Sequence, residues 1–233
     1  MIADPHCHTR ASDGMATPAE LVDAALKAGI DLIAITDHDT MAAAQVVRCR
    51  GEAAGLAVVM GQEVTTRWPA QTHILGWFIE KRIDRGLSIL DAVSAIHDQG
   101  GLVIIPHPFM PTYFGSMQPD MLMRLLEKER VDGIEVMSTV PMGARRRRLL
   151  DDFVSSHVEE VGAPIGASDC HFGRYDIARA VTEFDGDFRT AVVRRETRPR
   201  RWAAGWLVPP VLALRQQWKS MVELPLRRAT GQI

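Results

Sequence analysis

Short apolar, β-branched runs alternate with amphipathic helix patterns along most of this 233-residue chain, and that alternation limits the folds open to it. Residues 17–20, Thr-Pro-Ala-Glu, form a capping box with proline at the first helical position; Leu21, Val22, Ala25 and Leu26 continue an apolar stripe that Gly29 ends. The run at 30–36, Ile-Asp-Leu-Ile-Ala-Ile-Thr, then reads as a strand. The pattern repeats with a helix over 41–54, a strand from Leu56, a hairpin through 63–68 and 72–78, a helix over 87–98 stopped by Gly100 and Gly101, and a strand at 102–106. Helices over 119–129 and 144–161 follow, with strands at 133–137 and 163–169. Such alternation predicts parallel strands with helical crossovers, in an open doubly wound sheet or a closed barrel. No GxGxxG or GxxxxGK[ST] loop follows a strand, so an α/β barrel is favoured over the phosphate-cradling open sheets.

In barrels the chemistry sits on loops at the C-terminal ends of the strands. The chain's metal-capable side chains collect there. In Asp-Pro-His-Cys-His-Thr, at 4–9, His6 and His8 are one residue apart on extended chain and send two imidazoles to one side. Asp13 lies in the loop beyond them, His38 follows the strand at 30–36, Glu63 follows the next, and His73 opens the second arm of the hairpin. His107 follows the strand at 102–106, and Asp169 and His171 follow 163–166. Six of the eight histidines are sorted this way, while His97 and His157 fall inside helices and read as ordinary helix residues. Cys7 and Cys170 sit between ligand-type residues, where the period of two turns them away as small packing residues. Glu135 reads as a supporting carboxylate; Asp4, Asp37 and Asp39 either orient imidazoles or cap strand ends.

Three cysteines, an odd and sparse set, fit a reduced cytoplasmic protein, and the first residues lack the basic and apolar runs of a signal peptide. The longest apolar stretch, 202–214, has 13 residues, short of the roughly 20 that span a bilayer. A net charge of −2 gives no global reason for nucleic-acid binding, but from Thr197 onward seven Lys/Arg face one acidic residue. This segment also holds Trp202, Trp206 and Trp218, and is expected to pack on the barrel, form a homo-oligomer contact or rest on a membrane surface.

The ordered segments DPHCHT…SDG, ITDHDT, GQEVTT, HILGWF, IPHP and GASDCH resemble the successive motifs of the polymerase and histidinol phosphatase (PHP) family of metal-dependent phosphoesterases, from residue 3 to about 190. The resemblance implies a distorted seven-stranded (β/α) barrel at 1–196 followed by a C-terminal extension at 197–233, and two or three divalent ions. His6, His8, Glu63 and Asp169 would bind one ion; Glu63 would bridge to a second with His73 and His107; Asp13, His38 and His171 would hold a third. Imidazole and carboxylate donors suit Mn, Fe or Zn, and paired ions can activate water and clamp both oxygens of an in-line displacement at phosphorus. Glu63, His38 and Asp169 are the positions expected to matter most to catalysis. Arg67 and Arg174 are placed to meet a phosphate at the mouth of the site, whereas Arg145 to Arg148, followed by Asp151 and Asp152, read as a solvated helix face.

The expected activity is hydrolysis of a small phosphorylated metabolite or nucleotide. A 5'-3' exonuclease on short nucleic acid, or a cyclic-phosphate hydrolase, would use the same metals. From another class, a non-catalytic metal-binding or scaffolding domain would be expected to have eroded ligands, and none is eroded. A metallo-amidohydrolase barrel shares the HxH pair but would need a lysine after a strand for a carbamylated bridge, and this chain has none there.

Overall fold

The computed structural model describes residues 1–110, 115–139, 142–202 and 207–231; Trp206 lies outside them. Its elements run β1 Ile2–Cys7, α1 Pro18–Lys27, β2 Leu32–Ile35, α2 Ala44–Ala54, β3 Ala57–Thr65, β4 His73–Trp77, α3 Ile89–His97, β5 Leu102–Ile105, α4 Pro119–Leu126, β6 Gly133–Met137, α5 Ala144–Ser156 and β7 Ala163–Gly166. After a 3-10 turn at Gly173–Tyr175 come β8 Ala180–Glu183, α6 Phe188–Val193, β9 Arg198–Arg201 and α7 Pro210–Trp218, which continues through a π segment, Lys219–Glu223, into α8 Leu224–Ala229.

The strands form one sheet in the order β7-β6-β5-β4-β3-β2-β1-β8-β9. Half of the neighbouring pairs are parallel; β4 runs antiparallel to both β3 and β5, and β8 runs antiparallel to β1 and β9. The sheet is nearly closed. Thr182 Oγ1 bridges the amide and carbonyl of Gly166 across β8 and β7, at 3.0 and 2.8 Å, and Thr197 Oγ1 donates to the Pro164 carbonyl. At the functional rim, the chain beyond β7 zips onto β1: Cys7 and Cys170 form a parallel bridge, with His8 N donating to Cys170 O at 2.8 Å and Cys170 N to His6 O at 3.0 Å.

Among the described residues the sheet therefore carries nine strands where the resemblance leads one to expect seven. The two strands that sequence patterning passes over are β8, only four residues long, and β9, Arg-Pro-Arg-Arg, whose charge and proline hide an edge strand. β9 also shows that part of the segment after residue 197 completes the sheet.

Side chains divide by strand period. Leu32, Ala34, Val59, Leu75, Trp77, Leu102, Ile104, Ala163 and Ile165 fill the barrel interior with Phe184 and Phe188 beneath them, while Ile33, Ile35, Val103, Ile105 and Ile134 pack outward against the helices. Phe188, at the start of α6, closes the floor, 5.5 Å from the Trp77 ring and 4.9 Å from Phe184. On β4 the inward row reads Trp77, Leu75, His73, from apolar floor to polar rim. His73 opens β4, but because this strand runs backwards its first residue lies at the rim where its neighbours end.

α1 is capped as expected: Thr17 and Glu20 exchange hydrogen bonds in a complete capping box. The segment over Arg145 to Arg148 departs from expectation. Arg146 donates to the Phe109 carbonyl at 3.1 Å and Arg147 to the Val136 carbonyl, so two of the four tie α5 to the loop after β5 and to β6 itself instead of only facing solvent.

Candidate metal centre

A one-residue bulge aims the first two expected ligands. Along β1 and β2 the register runs Ala3 to Leu32, Asp4 to Ile33 and Cys7 to Ile35, so β1 spends three residues where β2 spends two. The bulge contains Pro5, which has no amide to lose from the ladder. Ala3 faces the barrel interior, and strict alternation would put Cys7 inside with it; the extra residue inverts the phase, so Cys7 joins the outer core and His6 and His8 turn inward. Cys170 lies outward beside Cys7, leaving Asp169 and His171 on the imidazole side.

All nine expected ligands converge on this rim, none more than 9% exposed. His6, His8, Glu63 and Asp169 form one group whose donor atoms lie within 4.8 Å of one another; His8, Asp13, His38 and His171 form a second, and His38, Glu63 and His73 a third. Glu63 is the centre. Its Oε1 is 2.7 Å from His73 Nδ1 and 3.1 Å from His107 Nε2; its Oε2 is 3.2 Å from His8 Nε2, 3.2 Å from His38 Nδ1 and 3.3 Å from His6 Nε2. Asp169 Oδ1 lies 3.3 Å from both His6 and His8, and Asp13 Oδ1 lies 3.3 Å from His171 and 3.7 Å from His38. The groupings overlap more than the resemblance implied: His8 reaches towards Asp13 as well as Glu63, and His38 towards Glu63 as well as Asp13.

These groups suit cations. Buried His8 Nδ1, His38 Nδ1, His73 Nδ1, Asp13 Oδ1 and Asp169 Oδ1 lack a hydrogen-bond partner although nitrogens and oxygens crowd within 4 Å, so lone pairs converge without the geometry that would satisfy them. A divalent ion bound by neutral imidazoles and carboxylates removes that cost. Burial opposes ionisation of the carboxyls, yet neighbouring imidazoles outweigh it. His38, His73 and His6 hold Glu63 well below the usual carboxylate range, His171 and His38 do so for Asp13, and His6 and His171 for Asp169. Burial above all pushes His38 down to about 3, which keeps its nitrogens available as ligands.

Around this group stand residues that orient it. Glu135 joins Oε1 to His6 Nδ1 at 2.7 Å and accepts the His107 amide on Oε2 at 2.7 Å. That amide must be held, because His107 sits at φ 30°, in the left-handed region disfavoured for residues with a Cβ. Asp37 accepts from Thr9 N, Thr9 Oγ1 and Ser12 Oγ, capping the loop to Asp13, and touches no imidazole in these bonds. Asp4 accepts the amides of Ser168 and Ala178. Asp39 accepts the Thr65 amide and pairs with Arg228. His97 pairs with Asp132 at 2.9 Å and His157 stacks on Phe153, both away from the rim.

The arginines expected at the mouth are not drawn into the cluster. Arg67 is exposed, and Arg174 lies over the Tyr175 ring at 4.8 Å, lining a cleft of about 500 Å³ with Arg10, Glu20 and Leu212. The polar groups that do reach the site loops, Gln216, Lys219, Arg227 and Arg228, come from α7 to α8. The sequence shows the basic character of this segment and its tryptophans but singles out none of these four polar residues, because the docking face of α7 shows no periodic apolar signal.

Residues 4–174 match the family described as PHP domain. The chain is 27% identical over 199 residues to the 3',5'-nucleoside bisphosphate phosphatase of Chromobacterium violaceum, covering 77% of this chain and 70% of that protein. It is 34% identical over 122 residues to an uncharacterized protein of Methanocaldococcus jannaschii, 48% of this chain and 70% of the other. A 5'-3' exoribonuclease of Haemophilus influenzae is 31% identical over 102 residues, 43% of this chain and only 37% of that protein, so the match spans well under half of the exoribonuclease. Among solved structures, a two-domain protein of Bacteroides vulgatus containing a predicted PHP-like metal-dependent phosphoesterase superposes with a TM-score of 0.68 at 20% identity, over 94% of this chain and 69% of that one. A C. violaceum protein described as an amidohydrolase with bound sulfate gives 0.64 at 19% identity, over 86% and 98%.

Proposed function

The chain belongs to the PHP domain family, and from that premise we propose that it is a metal-dependent phosphoesterase acting on a small phosphorylated metabolite or nucleotide with two or three divalent ions. The observation that carries this reading is Glu63, whose two oxygens face different sets of imidazoles, His73 and His107 on one side and His6, His8 and His38 on the other. A carboxylate so placed could serve two ions at once. His6, His8, Glu63 and Asp169 would hold one ion, Glu63, His73 and His107 a second, and Asp13, His38 and His171 a third; Mn, Fe or Zn suits these donors. Such ions supply Lewis acidity towards phosphoryl oxygens and make water a nucleophile at neutral pH.

The chain's own part is to build and hold that geometry. Glu135 fixes His6 with Nε2 directed into the site, and the Cys7–Cys170 bridge sets the spacing of His6 and His8 from Asp169 and His171. In this reading Arg67 and Arg174 remain exposed cations that a phosphate entering the mouth would meet, Arg174 through its cleft. A small substrate is favoured because the phosphatase relative aligns along most of both chains, whereas the exoribonuclease relative aligns over 37% of its length.

The test is phosphate release from phosphomonoesters, nucleoside bisphosphates, cyclic phosphates and short 5'-phosphorylated RNA, with Mn, Fe or Zn supplied and Glu63→Gln as the paired control. Metal-dependent release from small substrates, lost in the variant, supports the reading. Turnover restricted to RNA would replace it with an exonuclease, and bound metal without turnover of any compound would leave a metal-binding domain.

A further inference from the structure

Helix α7 buries one side chain among its described residues, and that side chain is a glutamine. Three of its large apolar residues point away, Val211 at 76% exposed, Leu214 at 71% and Trp218 at 57%, and Leu212 is only half-buried, while Gln216 is 6% exposed. A helix docked by the hydrophobic effect would present the opposite face. What α7 meets is the loop between β1 and α1. Gln216 Nε2 donates to Asp13 Oδ2 at 3.2 Å, and its amide oxygen accepts from Gln217 at 3.0 Å, which leaves the NH2 group to the carboxylate. Lys219, one helical turn on, donates to the carbonyls of Arg10, Ser12 and Gly14 at 3.3, 3.0 and 3.1 Å. Arg227 adds a bond to the Ala11 carbonyl at 2.9 Å. Four backbone oxygens of the loop that carries Asp13 are thus held by cations from the C-terminal segment.

The consequence falls on Asp13. With Oδ2 taken by Gln216, the other oxygen is fixed towards His171 Nε2 at 3.3 Å, His38 Nε2 at 3.7 Å and His8 Nδ1 at 3.9 Å, and it has no hydrogen-bond partner of its own. A neutral amide suits this task, since it fixes the carboxylate without neutralising the charge an ion would need. The charged Lys219 acts on the backbone instead.

We propose that the C-terminal helical segment is a working wall of the metal centre, in which Gln216 is the positioning residue for Asp13 and Lys219 holds its loop. The inference rests on the reading of Asp13, His38 and His171 as an ion site. Partners that orient a ligand in this way are worth about 10–100-fold in metal affinity.

The test uses the full chain and Mn2+ titrations followed by calorimetry and by metal content after desalting, comparing the natural chain with Asp13→Ala, Gln216→Met and Lys219→Met. Met keeps the length of Gln and removes the amide, both its donor to Asp13 and its acceptor for the exposed Gln217. The expected result is that Asp13→Ala loses one ion, and that Gln216→Met and Lys219→Met bind that same ion about 10–100-fold more weakly while the others bind as before and the metal-free melting temperature of Gln216→Met is unchanged. Unchanged affinity for every ion in Gln216→Met overturns the inference and leaves the phosphoesterase reading standing. A lowered metal-free melting temperature with all ions weakened together overturns it in favour of a purely structural strap. A natural chain that binds no Mn2+ removes the reading itself, and the inference with it.

Discussion

Glu135 stands directly behind His6, its Oε1 2.7 Å from Nδ1, so that the ring's other nitrogen faces Glu63 and Asp169 at 3.3 Å. The same carboxylate accepts the His107 amide and so spans two positions of the site from β6. Replacing Glu135 by Gln leaves one of these bonds without an acceptor or turns it donor to donor. Metal affinity is expected to fall about 10–100-fold, read by competition with a chelating dye, while the fold is retained by circular dichroism.

Removing the ions should cost stability as well as activity, because lone pairs of five buried atoms in the cluster then have no partner. At an ion concentration of about 100 Kd, binding contributes about 2.7 kcal/mol, which for a chain of this size is a melting shift of roughly 5–11 °C. Chelator should remove that shift and the phosphate release together, and added Mn2+ should restore both. Glu63→Gln should show a clearly smaller metal-induced shift, since two of the three ions share that carboxylate.

Gly115 sits at φ +108°, and a Cβ there would lie 2.5 Å from the His73 ring, whose amide donates to the Gly115 carbonyl at 2.6 Å. Only glycine fits on both counts. Gly115→Ala should push His73 off Glu63 and weaken the ion those two would share, with a metal stoichiometry lower by one as the measured outcome and a far smaller change in metal binding for Gly86→Ala, where an added Cβ would meet nothing within 4 Å.

The capping box of α1 gives an acid-dependent term away from the metal site. Hydrogen bonds from Thr17, backbone first and hydroxyl second, hold Glu20 below the usual carboxylate range. A carboxyl depressed in the folded state stabilises above its unfolded pKa, and that contribution is lost as pH falls through the folded pKa. Urea unfolding of the metal-free chain should therefore show Glu20→Gln less stable than the natural chain at pH 7 and nearly equal at pH 3. Thr17→Ala removes the cap itself and should cost about 1 kcal/mol at pH 7.

Much of the fold was legible in advance. The capping box and Gly29 bound α1, the hairpin of β3 and β4 was read from its two arms, and the inward partners of Glu63 were named from their places at strand ends. β8 and β9 were missed, and so was α6, because short strands and a six-residue helix carry too few residues to establish a period. Arg146 and Arg147 read as solvated in the sequence, but the carbonyls of Phe109, after β5, and Val136, in β6, capture them.

The sequence by itself determined which residues could ligate and which end of the barrel would carry them, since a chelating side chain at a strand end is a local property of the chain. Tertiary structure decided what those residues do to one another. The bulge at Pro5 sets the phase of His6 and His8 only against β2, Glu135 meets His6 only across the barrel, and Gln216 meets Asp13 only when the C-terminal helix folds back over the first loop. Each depends on groups many residues apart meeting in space, and such meetings follow no period that a one-dimensional pattern can display.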